Sequence, residues 1–184
     1  MREFYISSLN LSLTGRRVIG LCQTKLGDAD SFSMREYAEL ARGTEKSAYQ
    51  AIKAAIPELR ETGLFEEVSL KPGTKRLWFV FRKYVGKLPL ETVETCFLFR
   101  RKYSWTLYAI LLSLGGRGSR DFTLKELRYV FGEFTIGHWS FKEIKKKIVG
   151  PAAEELKKLK VAKVSMETIW DGREEAGGKI VIKT

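Results

Sequence analysis

The sequence predicts an α+β protein built as two copies of one small domain. Three observations lead there: an internal repeat, a length that suits two modest cores, and the same order of helix and hairpin signals in each half. The repeat has a period of about 90 residues. Phe32-Ser33-Met34-Arg35-Glu36-Tyr37 returns as Phe122-Thr123-Leu124-Lys125-Glu126-Leu127. Ile52-Lys53-Ala54-Ala55-Ile56 returns as Ile144-Lys145-Lys146-Lys147-Ile148, and each is followed by a proline and then Glu-Leu (Glu58-Leu59, Glu155-Leu156). Val68-Ser69-Leu70 returns as Val164-Ser165-Met166. A period this long means paired domains, since solenoid repeats are much shorter. With 184 residues and 44% apolar side chains, two domains are feasible, set at 1–85 and 101–184 with a linker over 86–100.

The elements follow in order. Leu9 to Leu26 reads as a first helix, with Leu9, Leu13, Val18, Leu21 and Cys22 at helical spacing and Gly27 as a stop. Ser33-Met34-Arg35-Glu36 is a capping box, in which serine takes the glutamate amide and glutamate reaches back; it opens a short helix to Ala41. Past Gly43-Thr44, a longer helix runs from Glu45 to Glu61 with Ala48, Ile52, Ile56 and Leu59 on one face, its last turn weakened by Pro57. Phe65 to Lys71, Pro72-Gly73 and Lys75 to Arg82 form a hairpin, because Pro-Gly suits the centre of a type II turn. Leu90 to Arg100 reads as a strand in the connection.

In the second half Ser104 to Leu114 is a helix and Gly115 to Gly118 a loop. Thr123-Leu124-Lys125-Glu126 is a second capping box, opening a helix that stops at Gly132. Ser140 to about Lys160 is the long helix, bent or broken at Gly150-Pro151. Val161 to Ile169 and Lys179 to Lys183 are strands joined by a loop from Asp171 to Gly178. Helix, short helix, long helix, hairpin is the winged-helix order, so the fold class is two tandem winged-helix domains.

Charge points to the partner. The formal net charge of +11 favours polyanions, nucleic acid before membrane. In a helix-turn-helix the long helix enters the major groove. With Ile144 and Ile148 inward, Trp139, Lys142 and Lys146 point outward and Lys145 flanks them. The first copy offers Lys46, Ser47, Gln50 and Lys53, of which Gln50 suits adenine. Lys71, Lys75 and Arg76 in the first wing, and Arg173 in the second, are placed to grip the flanking backbone.

Catalysis is not expected. His138 is the single histidine, no Ser/His/Asp or Cys/His set has workable spacing, and Gly115-Gly116-Arg117-Gly118-Ser119 lacks the ending of a phosphate loop. Cys22 and Cys96 have no metal-ligand spacing, so no cofactor is expected. No apolar run approaches a membrane span, and the start has no secretory pattern, so a cytoplasmic location is expected.

The second half resembles the iteron-binding plasmid replication initiators with two winged helices. The carrying residues are Lys102-Tyr103-Ser104 with Leu107-Tyr108 and Leu111, Thr123-Leu124 with Leu127, and Phe131-Gly132. They continue through Phe141, Lys145-Lys146-Lys147, Pro151-Ala152 with Glu155-Leu156, and Gly172-Arg173. Over residues 7–83 the resemblance is looser, resting on Tyr37-Ala38-Glu39-Leu40 and Ala48-Tyr49. It implies an initiator that binds origin direct repeats as a monomer, pairs through its first domain, represses its own gene as a dimer and recruits host replication proteins such as helicase or initiator. By position, Lys145, Lys146 and Lys147 match the family's basic triplet and Arg173 its Gly-Arg. Glu174-Glu175 departs from the pattern, since a basic residue is usual there. A tandem winged-helix transcription regulator without a replication role is the alternative.

Overall fold

The computed structural model of the chain describes residues 11–25, 29–82, 86–132, 136, 138–171 and 174–183. It divides into two compact units, Leu11–Leu98 and the part from Phe99 on. The first unit runs α1 (Leu13–Thr24), β1 (Ala29–Ser33), α2 (Met34–Ala41), α3 (Glu45–Glu61), β2 (Phe65–Lys71), β3 (Arg76–Phe81) and α4 (Leu90–Phe97). The second runs α5 (Lys102–Ser113), β4 (Gly118–Thr123), α6 (Leu124–Phe131), a long helix in three parts, then β5 (Lys163–Asp171) and β6 (Glu174–Lys183). The long helix consists of α7 (Phe141–Ile144), a π turn (Lys145–Val149) and α8 (Gly150–Lys158). Each unit has one three-stranded antiparallel sheet, ordered β1-β3-β2 and β4-β6-β5. Both units therefore have winged-helix topology.

Local chemistry explains the helix starts. Ser33 and Glu36 exchange hydrogen bonds as a capping box, with the Glu36 amide donating to Ser33 Oγ at 3.1 Å and the Ser33 amide to Glu36 Oε2 at 2.7 Å. Thr123 and Glu126 do the same at the start of α6. α3 continues through Pro57 to Glu61, its last turn held by buried Leu59 and by the Arg60 guanidinium, which donates to the Val68 carbonyl.

Each unit also ties the start of its first helix to the end of its long one. The Glu58 carboxylate accepts from the Ser12 amide at 2.8 Å and from the Ser12 hydroxyl, and Ser12 caps α1. In the second unit Glu155 accepts from the amides of Arg100 (2.9 Å) and Arg101 (3.2 Å) and from the Ser104 hydroxyl (2.5 Å). The repeated Glu-Leu thus has a physical meaning: Leu59 and Leu156 are fully buried, while the glutamate beside each satisfies exposed helix-start amides and meets the positive end of a dipole. Replacing Glu155 with alanine should destabilise the second unit by about 1–2 kcal/mol, as for loss of a helix cap, with Glu155→Gln recovering part of it. Urea unfolding of the full chain checks this.

Several expectations change. Leu90 to Arg100 is not a strand: Leu90–Phe97 is a helix that starts after Pro89 and buries Val93, Cys96 and Phe97 at helical spacing. The Arg17 guanidinium donates to the Phe97 carbonyl at 2.8 Å, and the Phe97 ring meets Tyr37 edge-on at 5.2 Å. Leu90–Phe97 thus contributes to the first unit's core, while Phe99 and Arg100 belong to the second unit. Strands β1 and β4, ahead of each capping box, went unread, because their alternation is short and their stability comes from distant partners such as Phe32↔Leu77 and Phe122↔Gly178. The first helix spans Leu13–Thr24, with Leu9 and Leu26 outside the described residues. The long helix continues past Gly150-Pro151, and its regular α hydrogen bonding is interrupted just ahead of them by the π turn Lys145–Val149.

The second hairpin is also longer than expected. Gly177 and Gly178 lie in β6, not in a loop, and close contact is the reason. A Cβ on Gly177 would stand 2.1 Å from the Phe122 carbonyl oxygen, and one on Gly178 would stand 2.1 Å from Phe141 Cε2. Cys22 and Cys96 are buried, and burial pushes both thiols above the ordinary range. Among the described residues no helix is long and apolar enough to cross a membrane.

Candidate nucleic-acid interface

The second unit's helix-turn-helix is α6 and the long helix. Ser140 caps the latter, with Glu143 closing a third capping box of the same Ser/Thr-x-x-Glu pattern. Phe141, Ile144, Ile148, Val149, Ala152 and Leu156 are buried, which turns Lys142, Lys145, Lys146 and Lys147 to solvent. Lys142, Lys145 and Lys146 make no ion pair among the described residues, so three ammonium groups stand uncompensated on one helix surface.

Lys147 is different. Its ammonium lies 2.9 Å from Glu143 Oε1 and 4.6 Å from the centre of the Trp139 ring. The Ser140 amide and the Lys147 ammonium both stabilise the Glu143 carboxylate, lowering its carboxyl from the ordinary 4.5 to about 2. Trp139 is half-buried, and its carbonyl accepts two bonds from the Arg128 guanidinium at 3.0 and 2.8 Å. Arg128, Trp139, Lys147 and Glu143 together fix how the long helix leaves the turn. Trp139 and Lys147 are thus engaged within the protein, whereas Lys142, Lys145 and Lys146 are open to a partner.

In the first unit Lys46, Gln50 and Lys53 are exposed on α3. Ser47 is committed elsewhere: its hydroxyl takes the Thr44 amide at 3.0 Å while its own amide donates to Thr44 Oγ1 at 3.2 Å. Tyr49, 37% exposed, was missed; it lies three residues from Lys46 and four from Lys53, a spacing legible in the sequence. In the wing, Pro72-Gly73 forms the expected turn, with Gly73 at φ 76° and the Thr74 amide donating to the Lys71 carbonyl at 3.3 Å. Lys75 is exposed with its ammonium 3.3 Å from Glu45. Arg76 turns inward along the sheet, donating to Ser31 Oγ at 3.0 Å. Lys71 lies 5.9 Å from the Trp78 ring centre.

The second wing is a two-stranded ribbon beyond Thr123↔Gly177, where β4 ends, and its register shifts at Ile169/Trp170. Trp170 is 59% exposed there and also went unread. Arg173 lies outside the described residues.

The fold matches that of the Pi initiator protein, solved by crystallography in complex with iteron DNA, with a TM-score of 0.70 over 98% of this chain and 94% of that one. Identity is 14%, so the likeness is one of fold. Neither a protein-family model nor a curated protein sequence matches the chain.

Proposed function

We propose that the chain is a sequence-specific duplex-DNA-binding replication initiator that recognises direct repeats at a plasmid origin and works by binding, not catalysis. The observation that carries this is the uncompensated face of Lys142, Lys145 and Lys146 on the helix that a winged-helix domain lays in the major groove. The fold shared with a protein solved on iteron DNA supports the same reading. In it, the second unit is the main reader. The first adds contacts through Lys46, Gln50 and Lys53 and supplies a homodimer interface in equilibrium with monomer. Repression of its own gene and recruitment of host replication proteins belong to the same proposal.

The electrostatic part is directly testable. With ~6 phosphate contacts, duplex affinity should fall with salt at a log–log slope of about −5. A fluorescence-anisotropy titration across salt concentrations measures it. A slope near −1 would show that phosphates are not the main partner.

A further inference from the structure

The π turn in the reading helix has a clear origin in the repeat. The caps fix the equivalence at the helix starts, Thr44 with Ser140, and the glutamates tied to each unit's first helix fix it at the ends, Glu58 with Glu155. The long helix therefore holds one residue more than α3 between cap and tie. The buried positions are Ala48, Ile52, Ala55, Ile56 and Leu59 in α3, and Ile144, Ile148, Val149, Ala152 and Leu156 in the long helix. Ala48 thus answers to Ile144, Ile52 to Ile148 and Leu59 to Leu156, which corrects the Ile52/Ile144 and Ile56/Ile148 matches drawn from sequence. The extra residue is taken up by widening one turn, so the core face stays continuous.

Widening the turn changes the main chain on the exposed side. The Gly150 amide donates to the Lys145 carbonyl, five residues back. In a helix the Lys146 carbonyl would take the amide of Gly150 or, in a π turn, that of residue 151. Gly150 is engaged with Lys145, and Pro151 has no N–H. Neither amide is available to Lys146, so its carbonyl is left to accept from solvent or from a partner at this surface. Lys146 and Gly150 are both exposed, and Gly150 adds no side chain over the turn.

We propose that the Lys146 carbonyl is a base-reading acceptor on this surface, directed at an exocyclic amino group of adenine or cytosine in the major groove. This rests on the duplex-reading function proposed above and adds what the lysines cannot do. An ammonium has donors only, so Lys142, Lys145 and Lys146 can recognise phosphates and the acceptor edge of guanine. Adenine N6 and cytosine N4 are donors and require an acceptor. Glu143, the carboxylate beside these lysines, is occupied by Ser140 and Lys147. The main-chain carbonyl fills that gap without adding negative charge next to the phosphates.

Pro151→Ala tests this, because it restores an amide to the turn and leaves every charge in place. A duplex is first selected by the wild-type chain from a pool with a randomised centre. The variant should then lose about tenfold in preference for an amino-bearing base at one position, while its salt slope and thermal midpoint stay near wild type. On the DNA side, replacing that adenine with purine, or that cytosine with its 4-deamino analogue, should weaken the wild-type chain about tenfold and the variant hardly at all. The probe swap on the wild-type chain remains decisive if Pro151→Ala fails to fold: loss at no amino-bearing position overturns the proposal. So does a folded Pro151→Ala variant that keeps every wild-type base preference. If the wild-type chain selects no sequence at all, the duplex-reading function itself fails and takes this proposal with it.

Discussion

Replacing Lys142, Lys145 and Lys146 together with alanine is expected to lower duplex affinity on the order of a thousandfold, at about 1.4 kcal/mol for each charge-assisted contact. The fold should survive. All three side chains are exposed and make no ion pair among the described residues, and substitutions at such positions typically shift stability by about 0.5 kcal/mol or less. A gel-shift titration beside a thermal melt separates the two effects. Lys147→Ala should behave differently, because that ammonium is held by Glu143 and by the Trp139 ring. Its larger effect should be on the thermal midpoint and its smaller one on affinity. A triple variant that binds as tightly as wild type would remove the long helix from the interface.

The second large effect concerns folding. Gly177→Ala should destabilise the second unit by about 3 kcal/mol, because overpacking here pushes on backbone that cannot give. The added Cβ would stand 2.1 Å from the Phe122 carbonyl oxygen and 3.1 Å from Thr123 Cα, in the strand paired with β6. For a unit of this size, that corresponds to a fall of roughly 15 °C in the midpoint of its transition. Gly178→Ala presses instead on Phe141 and Met166, which are side chains and can move. It should cost less stability, yet it displaces Phe141, the residue that begins the long helix next to Lys142. Differential scanning calorimetry of the full chain, with the two variants side by side, gives the ranking; equal midpoints for Gly177→Ala and wild type would refute the close-contact account of this strand.

Much of the fold was legible because its signals are local. Ser33 with Glu36 and Thr123 with Glu126 set helix starts through partners three residues away, and Pro72-Gly73 sets a turn within four. What escaped depends on distant partners. β1 and β4 are strands only because β3 and β6 pair with them, and Gly177-Gly178 looks like a loop until Phe122 and Phe141 are seen against it. The segment from Leu90 was misread although Val93, Cys96 and Phe97 have helical spacing, since strand and helix compete closely in so short a stretch.

The candidate site divides along the same line. That Lys142, Lys145 and Lys146 would be exposed followed from periodicity alone. The Glu143–Lys147 pair has i,i+4 spacing on one helix and is legible from periodicity, whereas Ser47 is taken by Thr44 through a local cap and Arg76 by Ser31 only because β1 arrives beside β3. The repeat is legible in the sequence, but the Ile52/Ile144 match lies about one helical turn out of register, since apolar positions recur every turn and a π turn leaves no mark among them.

If the chain reads repeated duplex sites, nuclease footprinting on the DNA flanking its own gene will reveal them. Protection is expected over several direct repeats of about 20 base pairs, about two helical turns each, lost when the repeats are scrambled and lost with the Lys142, Lys145 and Lys146 triple variant. Protection of a lone inverted repeat over a promoter would favour a transcription regulator over an initiator. Uniform, sequence-independent protection would contradict the claim outright.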